Sequence, residues 1–124
     1  MKTPESLTTA LLAAAVLVSV LACGGGTETA PSSAAVDQGR KIYSRICATC
    51  HGADANGMPA LGKGLRANAF TQSLSDAELV EFLQKGRSSN HPENQTGIDM
   101  PPRGGDPSIT DDELRDLVAF LRTL

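Results

Sequence analysis

The chain has few of the side chains that usually fill a protein core. Its 124 residues include no tryptophan, one tyrosine and three phenylalanines, so aromatic residues make up only 3% of the sequence. With three cysteines in all, the chain cannot build the disulfide framework that stabilises many small exported domains. A domain this small, with so little apolar bulk, usually needs another stabilising element. The sequence therefore predicts that a bound group supplies part of the core.

Clustered positive charge is also lacking. The chain has 11 lysines and arginines against 14 aspartates and glutamates, which gives a formal net charge of −3. Its basic residues are scattered along the sequence instead of forming the basic patch that nucleic-acid-binding proteins carry. We therefore expect no nucleic-acid partner.

The one long hydrophobic run lies at the N-terminus. Lys2 precedes an apolar stretch over residues 7–21, a pattern typical of an export signal. A permanent membrane anchor is the alternative interpretation of the same stretch. The run ends in Val-Leu-Ala-Cys, which resembles the lipobox of bacterial lipoproteins, where the signal is removed and the cysteine is lipidated. We therefore expect a signal peptide at residues 1–22, a lipid on Cys23 and export to the periplasmic or outer face of a membrane.

A segment of small and polar residues follows the lipobox. Residues 24–35 read GGGTETAPSSAA, which cannot bury a core and is typical of a flexible tether. The lipidated cysteine and this tether make up residues 23–35. The folded domain is then predicted over residues 36–124.

Three segments of the folded part have the apolar periodicity of α-helices. They span residues 36–50, 76–85 and 111–124. Ser75 with Glu78, and Thr110 with Glu113, form capping boxes at the starts of the second and third helices. Gly39 lies inside the first helix, where glycine costs about 1 kcal/mol relative to alanine, so we expect another helix to approach closely there. Because no segment alternates as strands do, the fold class is predicted to be all-α.

The third helix carries an apolar stripe, and the connections between helices are unusually long. The stripe comprises Leu114, Leu117, Val118, Leu121 and Leu124, with Phe120 at its margin. Residues 51–73 and 87–108 form two loops rich in glycine and proline. Loops of this length in a small domain are uncommon unless they are functional. Wrapping around a large bound group would explain them.

The motif Cys47-Ala48-Thr49-Cys50-His51 offers three interpretations. A structural zinc site usually needs a second, well-separated pair of ligands, and the chain has none. A redox dithiol expects its two cysteines beside a βαβ unit, which is also missing. A haem-attachment site uses both thiols to bind the porphyrin vinyl groups and the histidine to bind iron. The sequence therefore favours one covalently bound haem c, held by Cys47 and Cys50 with His51 as an axial ligand.

A second axial ligand has three candidates, Met58, His91 and Met100. Met58 lies only seven positions after His51, and a gap-filling methionine is the ordinary interpretation of such a residue. His91 lies in a polar turn, where a solvated histidine is expected. Met100 precedes two prolines that stiffen the backbone behind it. Because a methionine thioether is a standard partner of histidine on haem iron, Met100 is the predicted ligand.

These features together resemble the class I monohaem cytochromes c of the small bacterial type, over residues 36–124. The matching residues are Gly39, Tyr43, the motif at 47–51, Pro59-Ala60-Leu61, Gly86-Arg87, Met100-Pro101-Pro102 and the final LVAFLRTL. The resemblance implies three main helices and long loops around one haem. It also implies that Pro59 presents its carbonyl to the imidazole of His51. The stretch from Met100 to Leu124 looks most like haem subunits of bacterial respiratory complexes.

The resemblance implies a carrier of single electrons, not an enzyme, and the lipobox with its tether implies that this carrier is attached to a membrane. In this family one haem edge reaches the surface, here expected beside Ala48, Thr49, Pro101 and Pro102. The partners would be redox proteins such as a respiratory complex, a terminal oxidase or a reductase, although the chain lacks the lysine-rich docking ring of some relatives. A haem enzyme, a gas or peroxide sensor with a labile sixth ligand, and a fixed haem subunit of an oxidoreductase complex are the alternatives.

Overall fold

The computed structural model describes residues 30–124, so the predicted signal peptide, the lipidation of Cys23 and most of the tether lie outside the described residues. The elements in chain order are α1 (Ser33–Ile42), a π-helical turn (Tyr43–Cys47), α2 (Ala48–His51), β1 (Gly57–Met58), β2 (Gly62–Lys63), α3 (Ala69–Ser73), α4 (Asp76–Lys85), a 3₁₀ turn (Pro102–Gly105) and α5 (Asp111–Leu121). The predicted all-α class is confirmed, with one short hairpin added. Within residues 30–124, no helix combines the length and hydrophobicity that a membrane span requires.

The first helical segment begins earlier than its apolar pattern indicates. It starts at Ser33 instead of Val36, because the hydroxyl of Ser32 accepts a hydrogen bond from the backbone N–H of Ala35 at 3.2 Å and caps the helix. The predicted tether therefore overlaps this first turn. A π-helical turn, in which the N–H of Ala48 bonds to the carbonyl of Tyr43, precedes the C-x-x-C-H motif. Such turns often lie at functional sites.

The two other predicted helices begin where their capping boxes place them. Both boxes are formed in full, by Ser75 with Glu78 and by Thr110 with Glu113. Helix α4 has the predicted bounds, whereas α5 ends at Leu121 and not at residue 124. The last N–H groups bond three residues back, and this tighter pattern is common at helix ends.

Helices α1 and α5 cross in direct backbone contact at Gly39. A Cβ atom there would lie 2.0 Å from the carbonyl oxygen of Asp116 and 2.8 Å from the Cβ of Phe120, so the predicted close approach is confirmed. Phe120 is only 5% exposed, and its ring centroid lies 5.3 Å from that of Tyr43. Phe120, predicted at the margin of the stripe, is thus part of the buried core, because the missing side chain of Gly39 leaves room for it.

The buried core joins α1, α4 and α5 and covers only part of the interior. Its members are Ile42, Tyr43, Ala55, Leu79, Leu83, Ile109, Leu114, Leu117, Val118 and Phe120. The two loops close around the other side, where β1 and β2 form a hairpin of two residue pairs. The loops and the helices thereby enclose a cleft beside the C-x-x-C-H motif.

Candidate haem-binding site

A large cleft separates α2 and the hairpin from the loop that leads to Met100. It measures about 1180 Å³ with its open mouth included. Its apolar lining comprises Ile46, Leu61, Leu65, Phe70, Leu79, Phe82, Leu83, Ile98 and Leu121. Cys47, Cys50, His51 and Met100 line the same cleft. The fold thus brings together the four residues predicted to bind haem c.

The two cysteines are free and half-buried. Burial, helped by the neighbouring Cys50, raises the pKa of the Cys47 thiol to about 12. A reactive dithiol needs the opposite, a lowered thiol pKa, so the redox-dithiol interpretation gains no support. The zinc-site interpretation gains no support either, because among residues 30–124 no group of three or more His, Cys, Asp or Glu side chains could hold a metal ion.

His51 is held by the hairpin. Its Nδ1 lies 2.7 Å from the carbonyl oxygen of Lys63, so the structure corrects the expectation that Pro59 presents this carbonyl. Pro59 is exposed in the turn between β1 and β2, while Lys63 lies on β2, where pairing with Gly57 fixes its backbone. A carbonyl oxygen can only accept a hydrogen bond, so Nδ1 carries a proton, which leaves Nε2 as the nitrogen available to a metal.

Met100 is held by the end of α4. Its backbone N–H donates to the carbonyl of Arg87, and the N–H of Arg87 donates back, both at 2.8 Å. Gly86 makes this pairing possible, since it has a φ of +67° and a Cβ there would lie 2.2 Å from the carbonyl oxygen of Met100. Met58 is 42% exposed, His91 is exposed, and neither lines the cleft.

Asn94, which sequence reasoning missed, organises the loop before Met100. Its side-chain oxygen accepts hydrogen bonds from the N–H groups of Thr96 and Gly97 at 3.0 and 2.9 Å. Its amide nitrogen donates to the carbonyls of Ser88 and Ile98 at 3.1 and 2.8 Å. Asparagine is common in polar turns, so this stretch offers no sequence signal that singles Asn94 out. The loop is fixed by its own side chains, which limits the movement of the chain toward Met100.

The chemistry of these side chains fits haem c. Cys47 and Cys50 are one helical turn apart and can each form a thioether bond with one vinyl group. His51 presents an imidazole and Met100 a thioether, the two side chains that a His/Met axial pair would use. The apolar walls suit a flat, mostly apolar macrocycle. The site therefore offers two thiols for covalent attachment and two candidate iron ligands, the set of side chains that a c-type haem needs.

Comparisons with known proteins agree with this chemistry. The family described as Cytochrome C oxidase, cbb3-type, subunit III matches residues 34–121. Cytochrome c-555 of Prosthecochloris aestuarii is 32% identical over 84 residues, which cover 67% of this chain and 81% of that protein. No solved structure gives a match of comparable significance. The chain thus belongs to the c-type cytochromes of the cbb3-type oxidase subunit III family and carries covalently bound haem c.

Proposed function

We propose that this cytochrome is a membrane-tethered one-electron carrier of a respiratory chain, with its haem iron bound between His51 and Met100. One observation carries the proposal: both side chains line one cleft, where hydrogen bonds fix the imidazole of His51 and the backbone of Met100. The carbonyl of Lys63 orients His51, and paired hydrogen bonds with Arg87 hold Met100. The match to an oxidase subunit family supports the respiratory role.

The bound haem supplies an iron that alternates between the ferric and ferrous states. Cys47 and Cys50 retain the group covalently, so it cannot dissociate after export. His51 and Met100 would both bind the iron, which would leave no open position for a substrate. A methionine ligand raises the reduction potential relative to a second histidine, and the apolar cleft acts in the same direction because it disfavours the additional ferric charge.

The proposed exit for electrons is the haem edge beside four uncharged residues. Thr49, Pro101 and Pro102 are exposed and Ala48 is half-buried, so the edge proposed for docking presents a small, mostly apolar area. Such a contact gives little electrostatic steering. The predicted tether ahead of α1 would instead raise the local concentration of the domain near its membrane partner.

Binding of carbon monoxide tests whether the iron is a closed electron carrier. Because both axial positions are filled, the reduced wild type should not bind this gas, and its absorption spectrum should not change when the gas is added. Met100→Ala serves as the matched positive control and should bind it. Rapid binding by the wild type would instead favour a gas sensor or a haem enzyme with a labile sixth ligand.

A fixed haem subunit is the second candidate function, and the family match favours it because that family is named for an oxidase subunit. Gentle detergent extraction of native membranes separates the two functions. A mobile carrier should elute alone at the size of one domain. Stoichiometric copurification with an oxidase through several steps would favour the fixed subunit.

The membrane anchor of the proposal is a lipid on Cys23, based on the Val-Leu-Ala-Cys sequence and the polar segment behind it. Cells grown with labelled fatty acid should incorporate label into the wild type but not into Cys23→Ser, and the variant should be released in soluble form. If the wild type stays in the membrane without label, the anchor is an uncleaved N-terminal helix.

A further inference from the structure

Arg87 has an unusual environment for a charged side chain. Its guanidinium carbon lies 4.4 Å from the ring centroid of Phe70 and 5.0 Å from that of Phe82. The side chain is only 16% exposed and lines the haem cleft. A cation in such a setting loses hydration, and this cost is fully offset only where the cation also meets an anion or good hydrogen-bond acceptors. Stacking on two rings compensates for part of the cost.

The protein itself supplies only a weak anionic partner. Among residues 30–124, the hydrogen bonds of the Arg87 side chain comprise one contact, from Nη2 to Oε2 of Glu93 at 3.0 Å. The Glu93 side chain is 64% exposed, so solvent screens this pair. A guanidinium has five N–H donors arranged to grip a planar carboxylate. Arg87 therefore has donors left for a second carboxylate.

The other charged groups around the cleft are less suited to bind an anion inside it. Lys63 lines the cleft but is exposed, and its Nζ donates to Oε1 of Gln95 at 2.5 Å. Lys85 borders an adjoining hollow and pairs with Glu81 on the surface of α4. Asp99 and Glu93 also line the cleft, but they are acidic and would repel an anion. Arg87 is thus the least exposed cation of the described cleft lining.

We propose that Arg87 binds a propionate carboxylate of the haem through its side chain while its backbone holds Met100. The proposal rests on haem in the cleft, as the proposed function does. Arg87 is then a positioning residue for both the macrocycle and the iron ligand. Its positive charge keeps the bound carboxylate ionised in both oxidation states, so this carboxylate adds no pH dependence to the midpoint potential in the neutral range.

Arg87→Gln should make the midpoint potential depend on pH, since it removes the cation but keeps the backbone pairing with Met100. Ferric iron stabilises an ionised carboxylate more than ferrous iron does, so the carboxylate pKa is lower in the oxidised protein. Between its two pKa values, reduction takes up a proton and the potential falls as pH rises. Loss of the Arg87 cation raises the carboxylate pKa of both the oxidised and the reduced protein toward neutrality. The midpoint potential of the variant should therefore fall with rising pH within the neutral range.

The experiment compares the holoprotein with Arg87→Gln, Lys63→Gln and Lys85→Gln, which each remove one positive charge. Potentiometric titration across pH is combined with infrared difference spectroscopy. Haem is made from aminolevulinate that carries a heavy carbon isotope in its carboxyl group, which labels the propionates alone. The labelled carboxylate band should shift in Arg87→Gln and stay in place in both lysine variants. Arg87→Lys, which keeps the charge without the planar fork, should shift the band and leave the potential independent of pH.

A midpoint potential independent of pH and an unshifted carboxylate band in Arg87→Gln would overturn the proposal. The proposal would also fail if Lys63→Gln, and not Arg87→Gln, shifted the band and made the potential depend on pH. If Arg87→Gln fails to retain haem, Arg87→Lys decides the question through the same band. The red-end absorption of sulfur-to-iron ligation is recorded on every sample. Its absence from the wild type would count against the His51/Met100 assignment, whereas a change only in the propionate band bears on Arg87 alone.

Discussion

Met100→Ala should lower the midpoint potential and open the sixth coordination position to external ligands. A thioether stabilises ferrous iron relative to water or a nitrogen ligand, so its loss favours the ferric state. We expect a fall on the order of a tenth of a volt, within the roughly 0.8 V range that axial ligands span in haem proteins. Potentiometric titration and the binding of imidazole to the oxidised protein measure the two effects.

Met58→Ala and His91→Ala are the matched controls for this experiment. Met58 is 42% exposed on the hairpin and His91 is exposed in the loop before Met100. Because both lie outside the cleft lining, their removal should leave the potential and the imidazole affinity nearly unchanged. A fall in potential with His91→Ala, but not with Met100→Ala, would transfer the ligand role to His91.

Gly39→Ala should destabilise the fold strongly, although alanine favours a helix over glycine by about 1 kcal/mol. The added Cβ would lie 2.0 Å from the carbonyl oxygen of Asp116, a backbone atom that cannot rotate away. Helix α5 would have to move, and overpacking of this kind costs about 1–3 kcal/mol or more. Urea unfolding of the holoprotein should therefore show a lower midpoint.

Lys41→Ala provides the control, since it lies on the same helix and is exposed. Its effect on the free energy of unfolding should stay within about 0.5 kcal/mol. If Gly39→Ala stabilises the protein instead, helix propensity outweighs packing there, and the contact between α1 and α5 does not govern stability.

Local chemistry made much of the fold and the site predictable. Capping boxes at Ser75 and Thr110 fix helix starts through short-range hydrogen bonds, so a few residues suffice to locate them. Gly39 was informative because glycine is costly inside a helix and needs a packing reason. The C-x-x-C-H motif carries its chemistry within five consecutive residues. Each of these signals depends on neighbours in sequence, not on the tertiary fold.

The loops could not be predicted in the same way, because their conformation depends on contacts between distant segments. Ala55, Ala60, Ala67 and Arg103 all have positive φ values, which ordinary residues adopt only when surrounding structure requires it. The hairpin that places Lys63 next to His51 contains just two residue pairs and no alternating pattern. The resemblance therefore pointed to the carbonyl of Pro59 as the partner of His51, whereas the pairing of β1 with β2 places the carbonyl of Lys63 there.

The absorption spectrum of the oxidised wild type, purified with its haem attached, is the most direct test of the proposed iron ligation. Coordination of ferric iron by the Met100 sulfur, opposite His51, should give a weak band at the red end of the visible spectrum. Met100→Ala should lack this band, and Met58→Ala should keep it. A wild-type spectrum without the band, unchanged by Met100→Ala, would contradict the assignment of Met100 as the sixth ligand.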